Sequence, residues 1–332
     1  MTDVVIVGGG PAALTAALYL ARAGRSVKVF ERRAFGGELN QTAKIANYPG
    51  YEGSGAKLAE KFRKQAEAAG ADLSYGECTK IELLDNKVAA STATATRTDD
   101  NGSKSVKGTN GFELTIDGES VRARAVLVAT GSEPKTLGFE ITPPVSYCAL
   151  CDGDFAKGKR VAVLGGGNAA AQEALYLAPL VHSIDLITHS ALKADAVLQR
   201  ELERQSNITI REHLEPVREL LDTYDYVFVF IGKQPSAEFL QDLTVRTLVN
   251  KKMKLLDLEI TKELDLLDDD GFIVTGRTKH GNNKHCNTHE TAIPGLFAAG
   301  DVRSGMLRQV VTAAGDGAAA ATEINEFLRQ NS

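Results

Sequence analysis

Two cysteines separated by two residues give this chain its clearest chemistry. Cys148 and Cys151 lie in the stretch "SYCALCDGDF", residues 146–155. In a compartment that keeps thiols reduced, this spacing predicts either redox chemistry or a metal site. In the redox case, one thiolate attacks a disulfide sulfur and the second thiol resolves the mixed disulfide.

A zinc site is the alternative, and it needs two further ligands beyond the Cys-x-x-Cys pair. The remaining cysteines are Cys78, in a stretch that predicts a strand, and Cys286. Cys286 belongs to the stretch "HGNNKHCNTH" together with three histidines: His280, His285 and His289. Because this stretch is polar and precedes "IPGLF", we expect a loop with solvated histidines and predict no metal site.

One supersecondary pattern occurs twice in the chain, in residues 4–31 and 160–190. Each copy predicts a buried parallel strand, a glycine turn, about four turns of Ala- and Leu-rich helix and a second strand. Both turns have the pattern Gly-x-Gly-x-x-Ala, formed by Gly8, Gly10 and Ala13 and by Gly165, Gly167 and Ala170. Such glycines let the backbone approach a pyrophosphate, which then lies on the N-terminus of the helix. The repeat therefore predicts two dinucleotide-binding units.

The two copies differ where their second strands end. Glu31 stands about 20 residues after the first turn, where an acid accepts hydrogen bonds from a ribose 2′-hydroxyl group. The corresponding positions in the second copy are Thr188 and His189. Neither is an acid for a free ribose, and neither is an arginine for a 2′-phosphate. The first copy thus suits the adenosine half of FAD or an unphosphorylated dinucleotide.

Two further segments have the form of nucleotide-domain elements. Residues 123–135, "ARAVLVATGSEPK", predict a strand that ends in Ala-Thr-Gly. Residues 295–328 predict a strand, a Gly-Asp turn and a long helix. Asp301 in that turn is placed to bind a ribityl hydroxyl group, and the positive end of the helix can stabilise negative charge on a flavin ring.

Composition narrows the class of protein. The 332 residues are 43% hydrophobic and 24% charged, which is typical of a soluble globular protein of about two domains. The formal net charge of -5 argues against a nucleic-acid partner. No apolar run approaches the ~18 residues that a membrane span needs. The first residues enter a strand without a signal sequence, so we expect a cytoplasmic protein.

Taken in order, the motifs resemble those of the low-molecular-weight thioredoxin reductases, a family of flavin disulfide reductases. The motifs are "GGGPAALTAALYLARAG", "GGELNQTAKIANYPG", "ATGSEPK", "CALCDG", "GGGNAAAQEALYL" and "IPGLFAAGDV…RQVVTAAGDG". They extend over nearly the whole chain, and the Cys-x-x-Cys lies between the two glycine turns, as in that family.

The resemblance implies an α/β fold with two Rossmann-like dinucleotide-binding domains, the second inserted in the first. Residues 1–132 and 236–332 would form the FAD-binding domain, and residues 133–235 the second nucleotide-binding domain, which carries the Cys-x-x-Cys. The family forms homodimers. Its flavin lies against the disulfide in one domain orientation, and a rotation brings in the nicotinamide instead.

By position, the resemblance gives Cys148 and Cys151 the role of the redox pair. Asp152 would be the nearby acid, which can move the protons of a two-electron reduction. The residues implied for FAD come from both ends of the chain: Gly8, Gly10, Pro11, Ala12, Glu31, Gly37, Leu39, Gln41, Asn47, Thr130, Gly131, Gly300, Asp301, Arg308, Gln309 and Val310. The second nucleotide site would comprise Gly165, Gly167, Asn168, Ala169 and His189.

The second domain departs from the family where the 2′-phosphate of NADPH is bound. The family carries His-Arg-Arg after the second strand and a further Arg shortly afterwards. At these positions the chain has Thr188, His189, Ser190 and Ala194. Without the guanidinium groups, bidentate recognition of a phosphate is lost. We expect the nearby cations to lie on a solvated face: Lys193, Arg200 and Arg204.

We therefore predict an FAD-dependent disulfide oxidoreductase that resembles thioredoxin reductase. Electrons would pass from FAD to the Cys148–Cys151 disulfide and on to a thioredoxin-like protein, with ferredoxin or a second bound FAD as donor rather than NADPH. Two alternatives stay open. One is an NADPH-dependent thioredoxin reductase that binds the nicotinamide nucleotide weakly through an atypical 2′-phosphate site. The other is an oxygen-dependent dithiol oxidase or a redox-binding module without turnover.

Two segments have no counterpart in the family pattern. Residues 86–111 predict a long hairpin insertion. The charge-rich residues 242–272 are expected to cover the flavin, bind a partner or extend the sheet.

Overall fold

The computed structural model describes residues 1–42, 45–85, 96–98, 104–106, 111–240, 244–249, 252–256, 266–276 and 289–331. The chain divides into two compact units. The first unit comprises Met1–Ser132 and Pro235–Ser332, and the second comprises Glu133–Gln234. Each unit contains a central sheet and its own hydrophobic core.

Strands and helices are numbered in chain order. The strands are β1 (Thr2–Val7), β2 (Val27–Glu31), β3 (Ile45–Tyr48), β4 (Tyr51–Gly53), β5 (Asp72–Tyr75), β6 (Cys78–Asp85), β7 (Thr96–Thr98), β8 (Lys104–Val106), β9 (Phe112–Ile116), β10 (Glu119–Val128), β11 (Ser132–Pro134), β12 (Val145–Ser146), β13 (Arg160–Leu164), β14 (Ser183–Ile187), β15 (Ile208–Arg211), β16 (Tyr226–Val229), β17 (Lys233–Pro235), β18 (Thr244–Val249), β19 (Lys252–Leu256) and β20 (Leu296–Ala298). The helices are α1 (Pro11–Arg22), α2 (Gly55–Ala68), α3 (Ala149–Asp152), α4 (Asn168–Leu177), α5 (Ala196–Glu203), α6 (Arg218–Leu221) and α7 (Val310–Gln330). Short 3₁₀ turns cover Gly37–Gln41, Gly153–Ala156, Glu238–Leu240 and Gly300–Val302.

The sheet of the first unit is parallel in its centre, where β10 pairs with β1 and β20, β1 pairs with β2, and β2 pairs with β5. The central strand β1 reads "TDVVIV", and its last four residues are buried. Such a continuous apolar run forms when helices cover both faces of a parallel sheet. The long strand β10 also pairs at its beginning with the antiparallel strand β9, which continues the sheet to β6.

Helices α1 and α7 pack closely on this sheet because small residues face each other between them. A Cβ atom built on Gly317 in α7 would lie 2.1 Å from the carbonyl oxygen of Ala12 in α1. A Cβ atom on Gly300 would lie 2.9 Å from the Cβ atom of Ala12. Buried alanines of both helices, among them Ala16 and Ala320, belong to one cluster with Ile6 and Leu127 of the sheet. Residues from both chain ends of the unit therefore share this cluster.

The second unit is a parallel five-stranded sheet in the order β12-β16-β13-β14-β15. Its central strand β13 is buried from Val161 to Leu164. The side chains of α4 pack on one face with Ala149 of α3, and Tyr224 and Leu221 belong to a cluster that covers the other side of β13. Both units therefore have the predicted α/β architecture, and that prediction is confirmed.

The two unusual segments are only partly described. Within residues 86–111, β7 and β8 pair in antiparallel orientation. Within residues 242–272, β18 pairs in parallel with β6, and β19 pairs in antiparallel orientation with β18. The described part of this segment therefore extends the sheet of the first unit. His280, His285 and Cys286 lie outside the described residues.

Within the described ranges, no helix has the length and apolarity to cross a bilayer.

The contact between α1 and α7 predicts opposite effects for two glycines of α7. Gly317→Ala should lower the free energy of unfolding by about 1–3 kcal/mol, because the new methyl group meets the backbone of Ala12. Gly315→Ala is the matched control, since its Cβ atom would meet no atom within 4 Å. It should raise that free energy by about 0.4–1 kcal/mol. Urea titration of both variants measures the difference, and equal shifts in both would contradict the packing described.

Candidate functional site

Cys148 and Cys151 form a disulfide in the second unit, and their Cα atoms are 5.3 Å apart. Cys148 is the residue before α3, so the backbone N–H of Cys151 donates to Sγ of Cys148 at 3.2 Å. A donor at this sulfur stabilises the negative charge that it acquires when the bond is reduced. Both cysteines are half-buried, so the pair combines a fixed geometry with access from solvent.

Asp152, the predicted acid, is held by a serine that precedes the pair. The hydroxyl group of Ser146 donates to Oδ2 of Asp152 at 2.7 Å and accepts the backbone N–H of Cys148 at 3.1 Å. Ser146 is buried at the end of β12, so this hydroxyl group has a fixed position. It ties the acid to the backbone of the redox pair. Sequence reasoning missed Ser146, because no local pattern shows that its hydroxyl group is buried and directed at Asp152.

Glu173 of α4 forms hydrogen bonds with α3, the short helix that contains Cys151. Its carboxyl group accepts hydrogen bonds from the backbone N–H groups of Ala149 and Leu150, in the first turn of α3. Burial raises the pKa of Glu173 above its ordinary value, and these two hydrogen bonds oppose the rise. Glu173 thus satisfies N–H groups that a short helix leaves without intrahelical partners.

The first glycine turn lies between the ends of parallel strands in the first unit. Gly8 has φ = 106°, and a Cβ atom on it would lie 2.4 Å from the carbonyl oxygen of Ala129. Only glycine tolerates this combination of backbone conformation and close approach. A Cβ atom on Gly10 would meet no atom within 4 Å, and one on Gly37 would lie 3.6 Å from Cα of Gly10. The turn therefore presents an open backbone surface above Gly10, with Gly37 beside it.

Glu31 at the end of β2 is directed to this turn. Its Oε2 atom accepts the backbone N–H of Gly9 at 2.6 Å, and its Oε1 atom accepts the N–H of Arg33 at 2.8 Å. Two backbone hydrogen bonds therefore hold the carboxylate in place. Each oxygen retains a second lone pair, which is what a ribose hydroxyl group requires.

Several other predicted FAD residues contact residues from distant parts of the first unit. Asn47 donates through Nδ2 to Oε1 of Gln309 at 2.9 Å. Leu39 is buried in a small cluster against which Val310 packs. The guanidinium group of Arg308 stacks over the ring of Phe272, 4.7 Å from its centroid. Of the other predicted positions, Pro11 and Ala12 begin α1, Gly131 has φ = 74°, Gln41 is exposed, and Asp301 is half-buried in the turn after β20.

A polar atom in this region lacks a protein partner. Thr130 follows Ala129, the residue that Gly8 approaches. Its Oγ1 atom is buried and makes no hydrogen bond within the described part of the chain. Such an atom costs free energy unless a bound group satisfies it. Together with the open surface at Gly10 and the directed carboxylate of Glu31, it fits a bound dinucleotide. The residues present therefore fit FAD.

The second glycine turn has the same form as the first. Gly165 has φ = 133°, and a Cβ atom on it would lie 2.3 Å from the carbonyl oxygen of Phe230. A Cβ atom on Gly167 would meet nothing within 4 Å. Asn168 and Ala169 follow as the exposed first residues of α4. This turn retains the geometry that lets a backbone approach a pyrophosphate.

The loop after β14 folds back on this turn, and two acids lie on it or against it. The N–H of Lys193 donates to the carbonyl oxygen of Gly166 at 2.7 Å. Asp195 exchanges two hydrogen bonds with the side chain of Asn168, at 2.7 and 2.8 Å. Glu212, from the segment after β15, accepts the N–H of Leu192 at 2.6 Å. Asp195 is thus fixed on the loop beside Asn168, and Glu212 is fixed against the loop from outside it.

The residues at the family's arginine positions do not compensate for these acids. Thr188 is buried and packs against Gly166, whose Cβ atom would lie 2.5 Å from Oγ1 of Thr188. His189 is exposed. The nearest strand cation, Arg211, is paired with Asp185 at 3.1 Å. The other cations near this loop in sequence are exposed, as predicted: Lys193, Arg200 and Arg204.

One expectation for the histidine-rich stretch is wrong. His289 is not solvated but only 3% exposed, and its ring lies between Asp316 and Glu323 of α7. No local pattern indicated this contact, because the partners follow 27 and 34 residues later in a helix. No group of side chains that could hold a metal ion occurs in the described ranges.

Comparison with known proteins assigns these features to a family. The model of the pyridine nucleotide-disulphide oxidoreductases matches residues 2–257. A thioredoxin reductase of Bacillus subtilis is 31% identical over 99% of this chain and 95% of its own length. A thioredoxin reductase of Borreliella burgdorferi is 32% identical over 98% of this chain and 92% of its own length.

Solved structures agree with the sequence comparison. The crystal structure of thioredoxin reductase from Streptococcus pyogenes superposes with a TM-score of 0.69 and 28% identity, and it covers 99% of both chains. That of Lactococcus lactis thioredoxin reductase gives a TM-score of 0.65 and 28% identity, over 99% of this chain and all of the other.

The open surface at the first turn predicts a separation of cofactor binding from folding. Gly10 has φ = -78°, which any residue adopts, so Gly10→Ala should fold normally. Its methyl group would occupy the surface that fits the pyrophosphate. It should cost about 1–3 kcal/mol of FAD binding free energy, roughly five- to hundredfold in Kd. Gly315→Ala in α7 is the matched control, because its methyl group would also meet no atom within 4 Å and lies at no predicted cofactor position.

Flavin content and Kd of purified wild-type, Gly10→Ala and Gly315→Ala proteins measure the effect. Unchanged FAD affinity in Gly10→Ala would remove the first turn from the FAD site. A loss of the same size in Gly315→Ala would show that the effect is not specific to the first turn.

Proposed function

We propose a function from the premise that the chain belongs to the pyridine nucleotide-disulphide oxidoreductases and, among them, to the low-molecular-weight thioredoxin reductases. It carries electrons from FAD through the Cys148–Cys151 disulfide to a thioredoxin-like protein. The donor of these electrons is not NADPH. The protein is a thioredoxin-reductase-like flavin disulfide oxidoreductase. The observation that carries the proposal is the disulfide itself, with Asp152 held beside it by Ser146.

The first unit would hold FAD. The backbone above Gly10 would bind the pyrophosphate, Glu31 the adenosine ribose, and Thr130 would gain a hydrogen-bond partner. Asp301 would contact the ribityl chain at the strand end. Bound FAD supplies the electron pair that opens the disulfide. The second unit, Glu133–Gln234, would be the second nucleotide-binding domain.

The chain's own groups support thiol–disulfide exchange after that step. Two electrons and two protons convert the disulfide into two thiols, and Asp152 is placed to move a proton. The N–H of Cys151 favours a thiolate on Cys148. That thiolate would attack the partner's disulfide and form a mixed disulfide. Cys151 would then attack Cys148, which releases the partner as a dithiol and restores the protein disulfide.

The choice of donor follows from charge in the second unit. A 2′-phosphate carries nearly two negative charges, and its recognition needs fixed cationic donors. At this turn, Asp195 and Glu212 are fixed by hydrogen bonds, and Arg211 is paired with Asp185. Like-charge contacts disfavour the phosphorylated nucleotide, which is how specificity against a ligand is built. This electrostatic pattern supports a donor that carries no 2′-phosphate.

The geometry of the second turn favours one donor in particular. Gly165 and Gly167 keep the open pyrophosphate surface, which a protein donor such as ferredoxin would not require. We therefore infer that a second FAD binds there, and reduced ferredoxin becomes an alternative for the test below. An NADPH-dependent enzyme would need Asp195 and Glu212 to move, and an oxygen-dependent dithiol oxidase would need no second nucleotide. A homodimer, which the resemblance to the family implies, and a location in the cytoplasm are also part of the proposal.

The disulfide predicts a selective loss of activity. Cys151→Ser should reduce the rate of thioredoxin-disulfide reduction to background while FAD remains bound. Dithionite should serve as the reductant, so that the result does not depend on the natural donor. Cys78→Ala is the matched control. Burial raises the pKa of Cys78 to about 12, so its thiolate scarcely forms at neutral pH and its removal should leave the rate unchanged. Turnover by Cys151→Ser at the wild-type rate would contradict the assigned pair.

The second unit predicts that neither NADPH nor NADH is an efficient donor. Under anaerobic conditions, an excess of either nucleotide should reduce the bound flavin only slowly, as followed by loss of the oxidised-flavin absorbance. Counting FAD per chain identifies the donor. Two FAD per chain would support the second flavin. A single FAD that is reduced rapidly by reduced ferredoxin would support the protein donor instead. Rapid, complete reduction by NADPH would make the protein an ordinary thioredoxin reductase.

A further inference from the structure

His289 is buried in the first unit and contacts charged groups on both sides of its ring. Its Nδ1 atom is 2.8 Å from Oε1 of Glu323, and its Nε2 atom is 2.8 Å from Oδ1 of Asp316. Its backbone N–H donates to the other oxygen of Glu323 at 2.7 Å. Only 3% of the residue is exposed. A buried histidine therefore faces a carboxylate with each nitrogen of its ring.

This arrangement is satisfied by only one protonation state of the ring. Neutral imidazole has a single N–H donor, so one of the two nitrogens would present a lone pair to a carboxylate oxygen. The imidazolium form donates from both nitrogens, and its charge compensates the two carboxylates. Short contacts on both sides therefore favour the charged ring.

Asp316 connects the histidine to the turn that begins at Gly300. Its Oδ2 atom accepts the backbone N–H of Gly300 at 2.6 Å, and its Oδ1 atom accepts from both His289 and Arg303. Nε of Arg303 also donates to Oγ1 of Thr275, at 3.0 Å. Gly300 is the residue immediately before Asp301. One carboxylate thus fixes the backbone from which Asp301 extends.

We propose that His289 is a positioning residue for the cofactor: as an imidazolium it holds Asp316 in place, and Asp316 holds the Gly300–Asp301 turn against α7. The inference rests on the proposed assignment of this turn to FAD. His289 touches neither the cofactor nor the reacting sulfurs, and it acts through Asp316. Loss of its charge loosens the turn and speeds the release of FAD.

The charges around the ring set the direction of the pH dependence. Burial lowers the pKa of His289, but Asp316 and Glu323 of α7 outweigh burial and the opposing charge of Arg303, so the pKa is raised above its ordinary value. The pKa of Asp316 is lowered, as its hydrogen bonds to His289 and Gly300 and the charge of Arg303 outweigh its burial. Because the folded-state pKa of His289 is raised, its stabilising contribution is complete below the unfolded value near ~6.5. It is lost as the pH rises through the folded-state value.

The experiment compares purified holoproteins of wild type, His289→Gln and Glu323→Gln between about pH 6 and pH 9. Release of FAD is followed by its fluorescence, and the free energy of unfolding is measured in parallel. Wild type should release FAD slowly at the acidic end and progressively faster as the pH rises. His289→Gln should release FAD about ten- to hundredfold faster at the acidic end, with little dependence on pH. Glu323→Gln keeps the contact with Asp316 and should fall between the two.

His182→Gln is the matched control, because His182 is exposed in the second unit, and it should follow the wild-type profile. If wild type contains FAD but His289→Gln releases it at the wild-type rate at every pH, the positioning role is wrong. The role is equally wrong if the difference in unfolding free energy between wild type and His289→Gln does not shrink as the pH rises. Wild-type protein that binds no FAD would instead overturn the proposed cofactor, and with it this role.

Discussion

The close approach of backbone to backbone at the two glycine turns is the constraint on which the candidate sites depend. Gly8 lies against Ala129 and Gly165 lies against Phe230, each with a positive φ and no space for a Cβ atom. These contacts bring the N-terminus of α1 or α4 to the ends of parallel strands, where the N–H groups of a helix are unpaired. A side chain at either glycine would move the helix away from the sheet. Everything that gathers at the strand ends therefore depends on them.

The local pattern of the sequence was sufficient to predict this framework. Apolar runs, glycine spacing and Ala-rich helices are short-range signals, and the predicted α/β fold with its strand–turn–helix units is confirmed. The same signals could not reveal Ser146 as the partner of Asp152, because a hydroxyl group gains its role from burial and orientation. The role of His289 was harder still to predict. Its partners belong to α7, and a polar surrounding sequence hid a buried residue.

The electrostatics of the second unit illustrates a different limit. That the family's arginines are missing at His189, Ser190 and Ala194 can be read directly from the sequence. The acids near the turn cannot be read from the sequence in the same way. Glu212 comes from the segment after β15 and reaches the loop only through the fold. Asp195 is close to these positions in sequence, but only the fold shows its exchange with Asn168. The sequence shows which arginines are missing, and the structure adds two carboxylates that hydrogen bonds fix near the second turn.

The two units also treat buried charge in opposite ways. In the second unit, Asp185 is satisfied by Tyr224 at 2.6 Å and by two arginines, and these partners keep the pKa of Asp185 low despite its burial. That network lies in the sheet and stabilises the strands β13 to β15. In the first unit, the charged cluster lies instead between α7 and the Gly300 turn. This cluster therefore holds a turn rather than a sheet. Because a loop has few hydrogen bonds of its own to hold it, the Gly300 turn depends more on such side-chain contacts than a strand does.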